Sequence, residues 1–147
     1  MPLRFLTAGE SHGPSLVAIL DGLPAGLAID ESGITEELAR RQLGYGAGPR
    51  MKLEQDRASI LSGVMAGQTT GAPVSLIIEN LNHARWKGKP IDAMTAPRPG
   101  HVDLAAALKY GYTDLRPGLE RASARETAAR VAVGAVCKQL LKLFGIM

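Results

Sequence analysis

The stretch from Ser123 to Leu143 limits the fold more than any other part of the chain. Ala128, Val131, Ala132, Ala135, Val136, Leu140 and Leu143 recur along it at helical spacing and predict one long helix with a single apolar stripe. Ser123 and Glu126 stand three apart before that stripe, the pattern of a capping box. Glu126 and Arg130 form a favourable pair one turn apart on the surface. Four short apolar runs predict strands: Leu3 to Thr7, Leu16 to Leu20, Ala58 to Leu61 and Val74 to Ile78. Asp21 to Gly26 is turn chemistry that ends the second run, and Gly67 to Gly71 is a turn between the third and fourth.

A helix is predicted from Glu36 to Leu43, with Thr35 as its cap and Gly44 as its stop. A glycine-spaced loop, Gly44 to Met51, follows it. Residues 80–101 mix charge, Gly and Pro without periodicity and predict a long exposed loop, a feature uncommon in compact domains and often functional. Another helix is predicted from Asp103 to Tyr110. The last four residues, Phe144 to Met147, give a helix-stop glycine and then an apolar pair, as if a strand were about to begin.

With 147 residues the chain has one domain's worth of sequence, and 46% hydrophobic content suffices for a core. Only 4% is aromatic, so that core must come from Leu, Ile, Val, Ala and Met. The single cysteine, Cys137, excludes an internal disulfide and falls in the helical pattern as a buried thiol. No run is long enough for a membrane span and no leader pattern opens the chain, which reads as a soluble cytoplasmic protein.

The formal charge is +3, and arginine outnumbers lysine. Arg40, Arg41, Arg50, Arg98, Arg116, Arg121, Arg125 and Arg130 gather in a few stretches. Arginine suits carboxylate and phosphate because its planar fork donates two parallel hydrogen bonds. A solvated basic face is the plain alternative for any one of them. Two histidines stand in glycine-framed runs, Gly9-Glu10-Ser11-His12-Gly13-Pro14 and Arg98-Pro99-Gly100-His101. A histidine on such a turn can give or take a proton near neutral pH. His12 can equally be a turn histidine bonded to a carbonyl, and His101 a cap for the helix near Asp103. No carboxylate stands at triad spacing from His12. His83 lacks such framing and reads as surface. The start of the long helix, with Arg121 and Arg125, offers free N–H groups and positive charge to a phosphate. Gly44 to Gly48 fits neither the dinucleotide fingerprint nor the phosphate-loop pattern. The residues alone describe an anion-binding site with two histidines and several arginines.

Three runs in order, Gly9-Glu10-Ser11-His12-Gly13, Arg98-Pro99-Gly100-His101 and Ser123-Ala124-Arg125-Glu126-Thr127, resemble the hallmarks of the chorismate synthases. Leu20 to Pro24, Ile60 to Val64, Thr69 to Gly71 and Gly134 to Val136 agree with them. The resemblance implies an α+β fold, a layered β-α-β sandwich of which residues 1–147 would be the N-terminal portion of one domain, the C-terminal half being absent. It implies anti-1,4 elimination of phosphate from 5-enolpyruvylshikimate 3-phosphate to chorismate, with reduced FMN required although the reaction is redox neutral. NADPH enters only if a flavin reductase activity accompanies it. His12 would protonate the departing phosphate and His101 manage a proton on the flavin, with Ser11 and Ser123 in the catalytic set. Arg41, Arg50, Arg98 and Arg125 would grip phosphate and carboxylates. Arg41, Met51, Arg121, Ala122, Ser123 and Ala124 would meet the flavin. A homotetramer is implied, with no metal, nucleic acid or membrane.

Two departures qualify this picture. The family usually has arginine where this chain has Ala47, and losing such a contact to a bound anion costs roughly 1.5–3 kcal/mol. Family members also run to more than twice this length, and their second half carries further flavin and acid–base residues. The alternatives are an anion- or nucleic-acid-binding module, disfavoured by the scarcity of aromatic platforms, and an inactive fragment derived from the enzyme.

Overall fold

Strand alternation builds the core. In β2 (Ser15–Asp21) Leu16, Ala18 and Leu20 are buried, and in β6 (Val74–Glu79) Val74, Leu76 and Ile78 are buried. The two strands pair antiparallel with Leu16 opposite Ile78, Ala18 opposite Leu76 and Leu20 opposite Val74, so the six side chains form one inner face. β1 (Arg4–Ala8) adds antiparallel to β2, and β3 (Ala58–Ser62) adds to β6, giving the order β1-β2-β6-β3. A small hairpin, β4 (Val64–Met65) with β5 (Gln68–Thr69), stands beside the sheet. The computed structural model describes residues 2–43 and 55–146.

Two helices cover the inner face, α1 (Glu31–Gln42) and α5 (Glu126–Lys142). Ile34 and Leu38 are completely buried, each contributing about 1.5–3 kcal/mol. From α5 come Ala128, Ala129, Ala132, Val133, Ala135 and Val136, mostly small side chains that let the helix lie close to the sheet. Val131 and Leu140 pack at the margin of this cluster, while Leu143 is exposed. Cys137 is partly buried against it, and desolvation pushes its thiol upward, which suits a packing role. The α+β layering is as expected: among the described residues there is one four-stranded sheet with one helical layer.

All four predicted strands are present, as is α3 (Asp103–Tyr110), which ends at left-handed Gly111. Some expectations are overturned. Helix α1 begins five residues before Glu36, because Asp30 caps it by accepting from the Ser32 N–H at 2.9 Å. Thr35 sits inside that helix and donates its hydroxyl to the Glu31 carbonyl. The stop at Gly44 and the loop to Met51 lie outside the described residues. No capping box forms at α5: Ser123 Oγ accepts only a long 3.4 Å bond from the Arg125 N–H. Glu126 finds better donors in Arg130 and in Thr7 on β1. The loop over 80–101 holds a short helix, α2 (His83–Trp86), and another, α4 (Arg116–Arg121), precedes α5. No helix among the described residues is long and apolar enough to cross a membrane.

Candidate active site

The β1–β2 turn carries His12. Gly9 has φ 106°, and a Cβ there would lie 2.4 Å from the Ser15 carbonyl oxygen. That glycine therefore serves close packing of the turn against Ser15 at the start of β2. Buried Asn80, just past β6, donates its amide to the Ser11 carbonyl at 2.7 Å and the Gly13 carbonyl at 2.9 Å. Glu120 on α4 grips the turn from the other side. Its carboxylate accepts from the His12 N–H at 2.9 Å and lies 2.8 Å from His12 Nδ1 through both oxygens. Its carbonyl accepts from the Ser11 N–H at 3.0 Å. The Trp86 ring stands 4.5 Å from the imidazole at 60°, and His83 Nδ1 bonds the His12 carbonyl at 3.0 Å. His83 is thus a half-buried support of the turn and not the surface residue expected. Ser11 is buried at 3% exposure.

The second histidine is built the same way. His101 Nδ1 lies 2.6 Å from Asp103 Oδ1, and Asp103 has no exposed surface. Arg98 donates to Asp103 through its backbone N–H at 3.0 Å, Nε at 2.9 Å and Nη2 at 3.1 Å. Arg98 foremost, against the opposing effect of burial and with help from His101, holds the Asp103 carboxyl well below the usual carboxylate range. Asp103 in turn raises the Arg98 guanidinium, and Glu120 adds to that field. Glu120 therefore stands near both histidine clusters. The packing of α4 on α3 brings them together: a Cβ on Gly118 would lie 2.6 Å from the Ala106 methyl. His101 is no cap for α3, whose first turn uses no side-chain cap.

Arginines converge on the same end of the sheet. Arg125 is 6% exposed, with its guanidinium on Asp56 and, at 3.0 Å, on the Glu79 carbonyl, one residue from Asn80. Arg41 reaches the other Asp56 oxygen at 3.2 Å, the Ala124 carbonyl at 2.8 Å and Thr127 Oγ1 at 2.9 Å. Both arginines thus clamp the start of α5 to buried Asp56. Arg121 donates to the Thr7 carbonyl at 2.7 Å and hydroxyl at 2.8 Å. Ser123 is half-buried, Ala122 and Ala124 are exposed, and Arg98 keeps 45% of its side chain exposed. Arg50, Met51 and Ala47 lie outside the described residues. Sequence reading missed Asn80, Glu120, Asp103 and Asp56. The clue to Glu120 was its position immediately before the Arg121 run.

Two surface concavities lie away from these groups, one along Leu3, Phe5, Leu6 and Ile19, the other between α1 and α5. Among the described residues no cluster of three or more His, Cys, Asp or Glu could hold a metal ion. Two carboxylate-fixed histidines beside arginines make a site suited to acid–base and anion-binding chemistry.

The family model for chorismate synthase matches residues 3–147. Chorismate synthase of Aquifex aeolicus is 58% identical over 153 residues, covering 98% of this chain and 38% of that protein. The enzyme of Streptococcus uberis is 56% identical over 155 residues, covering 98% of this chain and 40% of its own length. A crystal structure of chorismate synthase superposes with a TM-score of 0.76 at 50% identity, covering 99% of this chain and 35% of the other. The chain belongs to the chorismate synthase family. It spans about 40% of the length of the relatives it matches.

Proposed function

We propose that the chain serves chorismate synthesis, the anti-1,4 elimination of phosphate from 5-enolpyruvylshikimate 3-phosphate. The observation that carries this reading is the pairing of His12 with Glu120 at 2.8 Å, beside an arginine-rich sheet end, in a chain of this family. A carboxylate at Nδ1 orients the ring and stabilises the imidazolium, leaving Nε2 as the nitrogen to pass a proton to the departing phosphate. Arg98, more open than Arg41 and Arg125, meets its anions directly. Arg41 and Arg125, tied to Asp56, act chiefly by holding positive charge at the end of the sheet.

Reduced FMN supplies the electron-rich partner that the redox-neutral elimination requires. The α4–α5 junction fits it: exposed Ala122 and Ala124 leave a backbone ledge with little side chain, flanked by Arg121 and half-buried Ser123. His101, fixed by Asp103, manages the proton on that side. NADPH serves only where flavin reductase activity is present. The setting is cytoplasmic and the assembly a homotetramer, supported by exposed Leu6, Ile19, Leu61 and Met65.

The test is anaerobic incubation with the enolpyruvyl substrate and chemically reduced FMN, following chorismate and binding together, with the Aquifex relative as control. Substrate and reduced FMN should bind, and His12→Ala should abolish any turnover without weakening flavin binding. A chain that neither binds nor turns over either ligand, where the relative does both, overturns the reading.

A further inference from the structure

We infer that His12, His83 and His101 are all Nδ1–H tautomers when neutral, and that Glu120 is the positioning residue that fixes His12 in this form. In each case Nδ1 faces an oxygen that can only accept. For His12 it is the Glu120 carboxylate, for His83 the His12 carbonyl, and for His101 the Asp103 carboxylate. At His101 a competing contact is Arg98 Nη2, 2.9 Å from Nδ1, which would need that nitrogen to accept. Arg98 Nη2 has Asp103 Oδ1 as an acceptor, whereas Nδ1 lies only 2.6 Å from the same ionised oxygen and must donate to it. An unconstrained imidazole prefers its proton on Nε2, so three Nδ1–H rings in one chain would be imposed by the fold.

For His12 the constraint comes mainly from one residue. Glu120 takes the Ser11 N–H, the His12 N–H and Nδ1, so it fixes the turn and the ring together. Trp86 lies against the ring, and Asn80 holds the flanking carbonyls. Nε2 is thereby the nitrogen that exchanges protons with a ligand. As a role in catalysis this rests on the function proposed above; as a statement about the free protein it does not.

The test uses ¹⁵N-histidine-labelled chain without substrate or flavin, at about two pH units above the ordinary imidazole pKa of about 6.5. Ring nitrogen shifts, assigned through each residue's own backbone signals, report the tautomer directly. The expected result is Nδ1–H for all three. Glu120→Gln keeps the size, but its single amide oxygen must serve both the His12 N–H and Nδ1. His12 should then become a mixture with a large Nε2–H share, while His83 and His101 keep the original pattern. Glu120→Ala should carry the change further if it folds. A wild-type His12 in the Nε2–H form overturns the inference, and needs no variant to be seen. An unchanged His12 in folded Glu120→Gln overturns the part assigned to Glu120. Loss of turnover with these shifts intact would count against the proposed reaction and not against the tautomer assignment.

Discussion

Asp56 is the residue whose removal should cost the fold most for its size. Its side chain is 1% exposed and lies between Arg125, 6% exposed, and Arg41, 13% exposed. Asp56→Ala leaves two neighbouring cations without that anion, one of them buried. Breaking a buried pair from one side costs about 3–5 kcal/mol, against a total stability of about 5–15 kcal/mol for a domain. Asp56→Asn keeps the shape and one acceptor oxygen, but turns an amide NH₂ toward one of the guanidinium groups. Its cost should be nearer 1–3 kcal/mol. Urea titration read by circular dichroism gives both values, and Asp56→Ala with Arg125→Met closes a double-mutant cycle. The double variant should recover part of the loss, because the stranded buried charge is gone. An Asp56→Ala variant within about 1 kcal/mol of wild type would refute the reasoning, since that is the range of an exposed pair.

Asp103 should resist acid. Its folded-state pKa is depressed, so its contribution is present above the ordinary carboxylate value of about 3.9 and lost only as pH falls toward the lower folded value. The stability gap between wild type and Asp103→Asn, measured by urea titration from pH 6 to pH 2, should therefore be flat above about pH 4 and shrink below it. Gly118→Ala should destabilise by about 1–3 kcal/mol through overpacking on Ala106, seen as a lower thermal midpoint. A neutral effect would mean that α3 and α4 shift freely. Asn80→Asp should be worse than Asn80→Ala by urea titration, because an ionised carboxylate cannot donate to the Ser11 and Gly13 carbonyls and would face both. Equal losses would show that packing, and not the two hydrogen bonds, holds the turn.

The strands of the sheet were legible because alternation along β2 and β6 is dictated locally, and the α5 stripe for the same reason. The ends of α1 and α5 were misread because capping depends on which partner wins. Asp30 outcompeted Thr35, and Glu126 went to Thr7 and Arg130. His12, His101 and the arginines could be picked out by their glycine and proline framing. Their carboxylate partners could not. Glu120 is 108 positions from His12 and Asp56 is 69 from Arg125, and in sequence both look like ordinary surface acids. Only the fold makes them specific.

Those hidden acids explain why the site residues occur where they do. The end of β6 provides the junction: the Glu79 carbonyl takes Arg125, and the next residue, Asn80, holds the His12 turn. Asp56 and Glu120 then act from either side, one neutralising the arginines that pin α5, the other orienting the histidine. Asp56 and the His12 turn are thus joined through Arg125, Glu79 and Asn80. The arginines in this arrangement are first a scaffold for the turn, and only Arg98 among those described keeps much of its side chain open to a ligand while also bonding an acid that holds a histidine. In the proposed site, positive charge and the histidines are thus coupled through carboxylates, buried Asp103 and half-buried Glu120, that hold the rings in place.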